Sequence, residues 1–121
     1  MQTAAQTYKT VSKTISNPRD VEANLLLHAA ARLKAIQDRW DSKEPELNGA
    51  LHYNRKLWTV FLTSVTGPDN PLPPNIKQNI ANLGIFVINH TLSILADPRP
   101  ERLGSLININ RELASGLRNQ L

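Results

Sequence analysis

Residues 53–62 read YNRKLWTVFL, a stretch in which two cations run directly into an apolar segment. Strict alternation along a β-strand would place Lys56 on the same face as Trp58, among apolar side chains. Helical spacing instead gathers one nearly apolar face, made up of Leu47, Leu51, Asn54, Trp58, Phe61, Leu62 and Val65. The stretch therefore predicts an amphipathic helix.

Length and composition indicate one globular domain. The chain has 121 residues, of which 40% are hydrophobic and 20% charged, and a chain of this size can bury a single core. No uninterrupted apolar run approaches the roughly 18 residues that a membrane span needs. The N-terminus also lacks the apolar block of a secretory signal. We therefore expect a cytoplasmic protein that does not enter a membrane.

The residue inventory offers little for catalysis. Cysteine is absent, which excludes disulfides and thiolate chemistry. His28, His52 and His90 fall on three different predicted helices without metal-binding spacing. No nucleophile motif and no glycine-rich phosphate loop occurs in the sequence. We therefore predict no enzyme, no metal site and no cofactor.

Proline marks the limits of the first two predicted helices. NPRD at 17–20 predicts a helix start, with Asn17 as the cap, Pro18 in the first helical position and an acid in the first turn. The apolar stripe that follows is Leu26, Ala29, Ala30, Leu33, Ile36 and Trp40. The segment DSKEP at 41–45 ends this helix. Residues 1–16 carry few apolar side chains and are expected to form a flexible or conditionally helical arm, so the single helical domain spans 17–121.

Two further helices are predicted after the proline-rich loop GPDNPLPP at 67–74. The first, from Asn75, is apolar on nearly all sides between 83 and 88, which predicts burial on more than one face and a central position. A strand for LGIFVI competes, but helical spacing is kept from Ile76 to Ile94. The last helix, from about Glu101, presents Leu103, Leu106, Ile109, Leu113 and Leu117. The prediction is an all-α, compact antiparallel bundle of four main helices plus an N-terminal arm or short helix.

The apolar stripes predict the core and leave two amides to explain. The predicted core residues are Trp58, Phe61, Leu51, Trp40, Leu33, Ile80, Leu83, Val87, Leu106 and Leu113. Asn54 and Asn110 interrupt their stripes, and a buried amide must be hydrogen-bonded. These amides either cap a loop, or pair across helices and fix the register of the bundle, or bind the backbone of a partner.

Apolar residues off the stripes indicate a partner surface. Tyr53, Leu57 and Val60 form a second line on the Trp58 helix, and Leu27, Ile85, Ile88 and Leu92 are also off-stripe. The candidate partner-binding residues are Tyr53, Leu57, Val60, Arg55, Leu27 and Ile85. An apolar groove formed by these residues would bind an amphipathic helix. In a homo-oligomer, the same off-stripe apolar residues would contact a second copy of the chain. The 14 Lys and Arg against 10 Asp and Glu are scattered, which does not favour nucleic acid.

Three stretches together resemble the FlaF family of flagellar biosynthesis regulators of alphaproteobacteria. They are YNRKLWTVFLTSV at 53–65, PDNPLPPNIKQNIANLGIFV at 68–87 and LININRELASGL at 106–117. The order and spacing of LW, PDN and LP before an apolar helix carry the likeness. It covers about residues 20–118, whereas residues 1–19 contribute little beyond Tyr8.

The resemblance implies a cytoplasmic, non-enzymatic protein of flagellum biogenesis. It implies a regulator that promotes flagellin production and export, acts with an FlbT-type translational repressor, and holds flagellin in a chaperone-like manner. Amphipathic terminal helices of flagellin would fit an apolar helical groove. The alternative is an RNA-binding regulator that acts on flagellin mRNA, against which stand the low net charge and the lack of an RNA-recognition motif.

Overall fold

In the computed structural model, which describes residues 18–119, four long helices follow one another along the chain. They are α1 (Pro18–Asp38), α2 (Leu47–Thr66), α3 (Pro74–Ala96) and α4 (Gly104–Asn119). Short helical turns lie before α2, at Trp40–Lys43 and Glu44–Glu46, and before α4, at Pro100–Leu103. The described part contains no strand, so the predicted all-α fold with four main helices is confirmed. The predicted arm at 1–16 and the predicted cap Asn17 lie outside the described residues.

The first helix is shorter than its apolar stripe predicted. It begins at Pro18 and ends at Asp38, because Arg39 leaves helical angles with φ −127° and ψ 45°. Trp40 therefore starts a separate helical turn instead of completing the α1 stripe. Its side chain is only partly buried and packs against the edge of the core.

Helix α1 lies at the centre of the bundle and α3 at its edge. Helix α1 packs on both α4 and α2, whereas α3 packs mainly on α2. The prediction that the Ile80–Ile94 helix is central and buried on more than one face was wrong. Only one face of α3 is buried, and it consists of Ile80, Gly84, Val87, Thr91 and Ile94. No fifth helix of the described residues covers its other side, so the apolar residues there remain exposed.

One hydrophobic core joins all four helices. Of the residues predicted for it, seven are buried: Trp58, Phe61, Leu51, Leu33, Ile80, Val87 and Leu106. Leu83 and Leu113, like Trp40, are partly buried against that core. In α4 the buried face runs through Leu106, Ile107, Asn110, Ala114 and Leu117, which leaves Ile109 and Leu113 at its margin. The α4 stripe is thus rotated from the predicted one, because Ala114 and not Leu113 faces the neighbouring helices.

Helices α2 and α3 approach closely at one glycine. A Cβ atom on Gly84 would lie 2.5 Å from Leu62 Cδ1 and 2.9 Å from Leu62 Cγ. Real Cβ atoms do not come this close, so the absence of a side chain at Gly84 lets Leu62 of α2 lie directly against the α3 backbone.

Helix α3 is also apolar enough to cross a membrane by length and composition alone. It has 23 residues and one charged side chain, Lys77, although amides such as Asn82 and Asn89 interrupt its apolar runs. Those interruptions are why no continuous apolar run is visible in the sequence. The core helix of a soluble protein meets the same criterion, and the buried face of α3 packs on α2.

Candidate partner-binding surface

The two amides that interrupt the apolar stripes bond each other inside the bundle. Asn110 Nδ2 donates to Asn54 Oδ1 at 2.7 Å and to the carbonyl oxygen of Leu26 at 3.3 Å. The indole Nε1 of Trp58 donates to Asn110 Oδ1 at 2.9 Å. Asn54, Trp58 and Asn110 are all fully buried. This network pairs residues across α1, α2 and α4, so its members face the core and not a partner.

Tyr53 belongs to the contact between α1 and α2. Its ring packs edge-on against His28, with the ring centroids 5.8 Å apart. The guanidinium of Arg32 lies over the same ring, 5.2 Å from its centroid, at cation–π distance. Tyr53 is therefore half-buried by α1, so we expect Tyr53→Ala to lower the stability of the protein.

The other predicted partner residues divide between core and surface. Leu27 and Leu57 are partly buried and pack against the hydrophobic core. Arg55 is partly buried, whereas Val60 is 62% exposed and Ile85 is 59% exposed. The structure therefore does not bring the six candidates together on one surface. The exposed pair lies on the solvent-facing side of α2 and α3.

An apolar surface runs along that side, and we call it the outer face. It consists of Val60 of α2 with Ile85, Ile88 and Leu92 of α3. Val60 and Ile88 line a shared depression of about 640 Å³ between the two helices. Leu92 is 51% exposed, and Ile88 is partly buried at the floor. Nothing in the described part of the chain covers this surface.

Basic side chains border the outer face. The depression is lined also by His52, Arg55, Lys56 and Thr59. Arg55 Nη2 lies 3.4 Å from His52 Nδ1. Within residues 18–119 neither Arg55 nor Lys56 forms an ion pair with a carboxylate, unlike Lys34 and Lys43, which pair with acids on their own surface. The outer face thus combines an apolar floor with positive charge along one edge.

A second depression, of about 560 Å³, lies at the proline-rich loop. It is lined by Arg19, Glu22, Ser64, residues 67–72 and Leu117. Two hydrogen bonds hold the loop in place. The Leu72 N–H donates to Asn70 Oδ1 at 3.0 Å, and Lys77 Nζ of α3 donates to the Gly67 carbonyl at 3.1 Å. These bonds seat the buried side chain of Leu72 in the core. The PDN segment therefore has a structural role in closing this end of the bundle.

Glu22, which lines this depression, has a perturbed pKa. Burial of the carboxyl raises its pKa above the ordinary value of 4.5, and the neighbouring Arg19 partly opposes that rise. No group of three or more His, Cys, Asp or Glu suited to a metal occurs in residues 18–119.

Sequence reasoning named Val60, Ile85 and Arg55 as candidates, but not His52 and Lys56, which border the outer face beside Arg55. His52 and Lys56 gave no signal of their own, because a cation on an amphipathic helix is usually only a solvated side chain. A signal was present in α3, where Ala81, Ile85, Ile88, Leu92 and Leu95 alternate steps of four and three residues. That spacing is typical of a helix-pairing seam.

Comparison with known protein families gives a match over nearly the whole chain. The family model for flagellar protein FlaF matches residues 4–117, so the match includes most of the segment before residue 20 that seemed to contribute little. No curated protein and no solved structure is significantly similar to the chain. With a match over nearly its whole length, the chain belongs to the FlaF family of flagellar proteins.

Proposed function

We propose that this protein binds flagellin in a chaperone-like manner and thereby regulates flagellin synthesis and export in the cytoplasm. It has no catalytic role in this proposal. An amphipathic helix of flagellin lies on the outer face, where the apolar side chains of the partner replace water over α2 and α3. An FlbT-type translational repressor is the further partner through which flagellin supply is linked to translation.

The observation that carries the proposal is the exposure of Val60, Ile85 and Leu92 on one side of a small bundle. Each is more than half exposed. Adjacent exposed apolar residues of this size mark interaction sites more often than scattered ones do. Membership of the flagellar family supplies the biological setting, and a helical groove suits a helical ligand.

Direct binding to flagellin mRNA is the second candidate, and Arg55 and Lys56 are the observation in its favour. Both are cations without a carboxylate partner among the described residues. Between Leu47 and Ala96, however, the sequence has only three Lys or Arg residues, which is few for a phosphate-binding surface. The ring of His52 lines the depression beside these two cations, but no Phe, Tyr or Trp of the described residues lines it.

Titration of the purified protein with monomeric flagellin, by calorimetry, tests the proposal. We expect Val60→Asp and Ile85→Asp each to weaken binding by roughly tenfold or more, because a buried aliphatic side chain contributes about 1.5–3 kcal/mol. Both residues are exposed, so the melting temperature should stay nearly unchanged. Val21→Asp is the matched control, since Val21 is 43% exposed on α1, away from the outer face.

Salt dependence separates the two candidates. Flagellin binding through apolar contacts should change little between low and moderate salt, whereas binding through phosphates weakens steeply. Steeply salt-dependent binding to flagellin mRNA, without binding to flagellin, would replace the first proposal by the second. Equal losses for Val60→Asp and Val21→Asp would move the flagellin site away from the outer face.

A further inference from the structure

The surface around the outer face is almost free of acidic residues. From Leu47 to Ala96 the sequence has one acid, Asp69, and it lies in the proline-rich loop next to the other depression. The remaining nine acids all lie outside this span. The partly buried Arg55 and the exposed Lys56 therefore lie beside the apolar floor with no carboxylate of this span to neutralise them. A ligand that covers this floor must either leave these cations unpaired or bring its own acids.

This charge pattern excludes two occupants from the chain itself. A second copy that presented the same outer face would place cations against cations, because that face has no acid to offer. Residues 1–17 contain Lys9 and Lys13 but no Asp or Glu, so that segment cannot supply the missing carboxylates either. Like-charge contacts at an interface are unfavourable, which points to a different protein as the occupant.

The shape of the surface favours a helix. Ile85, Ile88 and Leu92 follow steps of three and four residues. Ala81 and Leu95, the latter packed against the core, extend this seam to about 21 Å at 1.5 Å per residue. Seams with this spacing receive the side chains of a partner helix between their own. In such pairs, charged residues that flank the seam select the partner. His52, Arg55 and Lys56 border the seam beside Ile88 in this way.

We propose that the outer face binds an amphipathic helix whose apolar stripe is flanked by Asp or Glu residues. The stripe lies on Ile85, Ile88, Leu92 and Val60, and the acids lie against Arg55 and Lys56. The apolar contacts provide most of the affinity, and the cations select an acidic partner over a basic one. This inference rests on the proposed function in placing a helix on the outer face, and adds the charge of that helix.

Two designed peptides test the inference with the full-length protein. Both are about 21 residues long, with Leu at the two seam positions of each of three heptads. One carries Glu at the flanking positions and the other carries Lys. We expect the Glu peptide to bind at least tenfold more tightly at low salt. The double variant Arg55→Glu/Lys56→Glu should abolish or reverse that preference, and Ile85→Asp should weaken binding of the Glu peptide.

The matched control is Arg111→Glu together with Lys34→Glu, which changes the net charge equally on other helices. This control should keep the preference for the Glu peptide. Equal affinity for the Glu and Lys peptides would overturn the inference, as would failure of both to bind. Tighter binding of a uridine homopolymer or of phosphatidylserine vesicles, in competition with the Glu peptide, would also overturn it in favour of RNA or a membrane.

The outcomes for the two proposals can be separated. If the Glu peptide binds and flagellin does not, the inference holds and the proposed flagellin role fails. If flagellin binds with an affinity that Arg55→Glu/Lys56→Glu does not change, the flagellin role holds and the inference fails. Loss of flagellin binding in this double variant, but not in the control pair, supports both.

Discussion

Asn110 lies where three helices of the bundle meet. Its amide accepts from Trp58, and donates to Asn54 and to the backbone of Leu26. Because Oδ1 must accept from Trp58 while Nδ2 donates both of the other bonds, the network fixes the orientation of the Asn110 amide. Asn54 Nδ2 is left as the one buried side-chain nitrogen or oxygen in residues 18–119 without a hydrogen-bond partner. The network thus specifies how α1, α2 and α4 pack, at the cost of one unpaired donor.

Replacement of Asn110 by alanine should destabilise the protein strongly. The change leaves Trp58 Nε1 and Asn54 Oδ1 buried without partners, and each such group costs about 1–3 kcal/mol. We expect Asn110→Ala to lower the free energy of unfolding by about 2–5 kcal/mol in urea denaturation. Asn108→Ala, an exposed residue of the same helix, is the control and should change it by less than about 0.5 kcal/mol. Similar losses for both variants would argue against the network.

Glu22 gives the protein a pH dependence of definite sign. Its pKa is raised in the folded protein by burial, so folding disfavours the ionised carboxylate. The resulting contribution to folding stability is fully present at pH values below 4.5, the ordinary pKa that the group has in the unfolded chain. That contribution is lost as the pH rises through the raised pKa of the folded protein. We expect the melting temperature of Glu22→Gln, relative to that of the natural protein, to be higher at pH 7 than at pH 4. The exposed Glu112→Gln should show no such gain, and equal pH profiles would contradict the assignment.

At the scale of elements, the position of α3 depends on a close approach to α2. Gly84 is buried, and Leu62 fills the space where its side chain would lie. This contact matters for α3 because α3 packs mainly on α2. Side-chain hydrogen bonds also hold both ends of α3: Lys77 Nζ donates to the Gly67 carbonyl oxygen at 3.1 Å, and Arg102 Nη1 donates to Ser93 Oγ at 3.0 Å. His90 Nε2 lies 2.9 Å from the Arg102 carbonyl oxygen.

Gly84→Ala should therefore destabilise the protein although alanine favours helices. Overpacking costs about 1–3 kcal/mol, which offsets and exceeds the gain in helix propensity of about 1 kcal/mol. In a Leu62→Ala background the same change should become stabilising, because the space is free. Gly116→Ala is the control: its Cβ would meet nothing within 4 Å, and we expect it to stabilise by about 0.5–1 kcal/mol. A double-mutant cycle in urea that shows no coupling would contradict this account.

At the scale of the whole molecule, stability is distributed unevenly. Helix α1 contributes side chains to the core along its whole length and contacts α2, α4 and the turn before α4. Helix α3 buries a single stripe and leaves its outer face to solvent. Most of the apolar side chains that the proposals assign to partners thus lie on α3, which packs mainly on one neighbouring helix.

Native-state hydrogen exchange should show this order. Amides of elements with few packed neighbours exchange through openings that cost less than global unfolding. We expect the slowest exchange in the middle of α1 and the fastest, among the four long helices, in α3. Addition of the Glu peptide should slow exchange in α3. Protection in α3 equal to that in α1 would show that α3 is held more firmly than its packing indicates.

The sequence by itself determined the class of fold and most of the helix limits. Proline-containing segments at 17–20, 41–45 and 67–74 separate the helical stretches, because proline removes a backbone donor and fixes its own angles. Apolar spacing around Trp58 and Leu33 predicted which faces are buried. The motif order in 53–117 predicted the FlaF family, which the family match confirms. These features are local, so they can be read along the chain.

Only the tertiary structure decided which apolar residues have a partner within the bundle. Tyr53 and Val60 lie on one helix and look equivalent in sequence, but α1 covers the first and leaves the second exposed. Asn54 and Asn110 could have faced solvent or a partner, and only the arrangement of three helices brings them within 2.7 Å. The sequence of α3 is apolar on nearly all sides, and this pattern predicts a central position in the bundle. Its true position depends on how many helices surround it, and spacing along one helix carries no information about its neighbours.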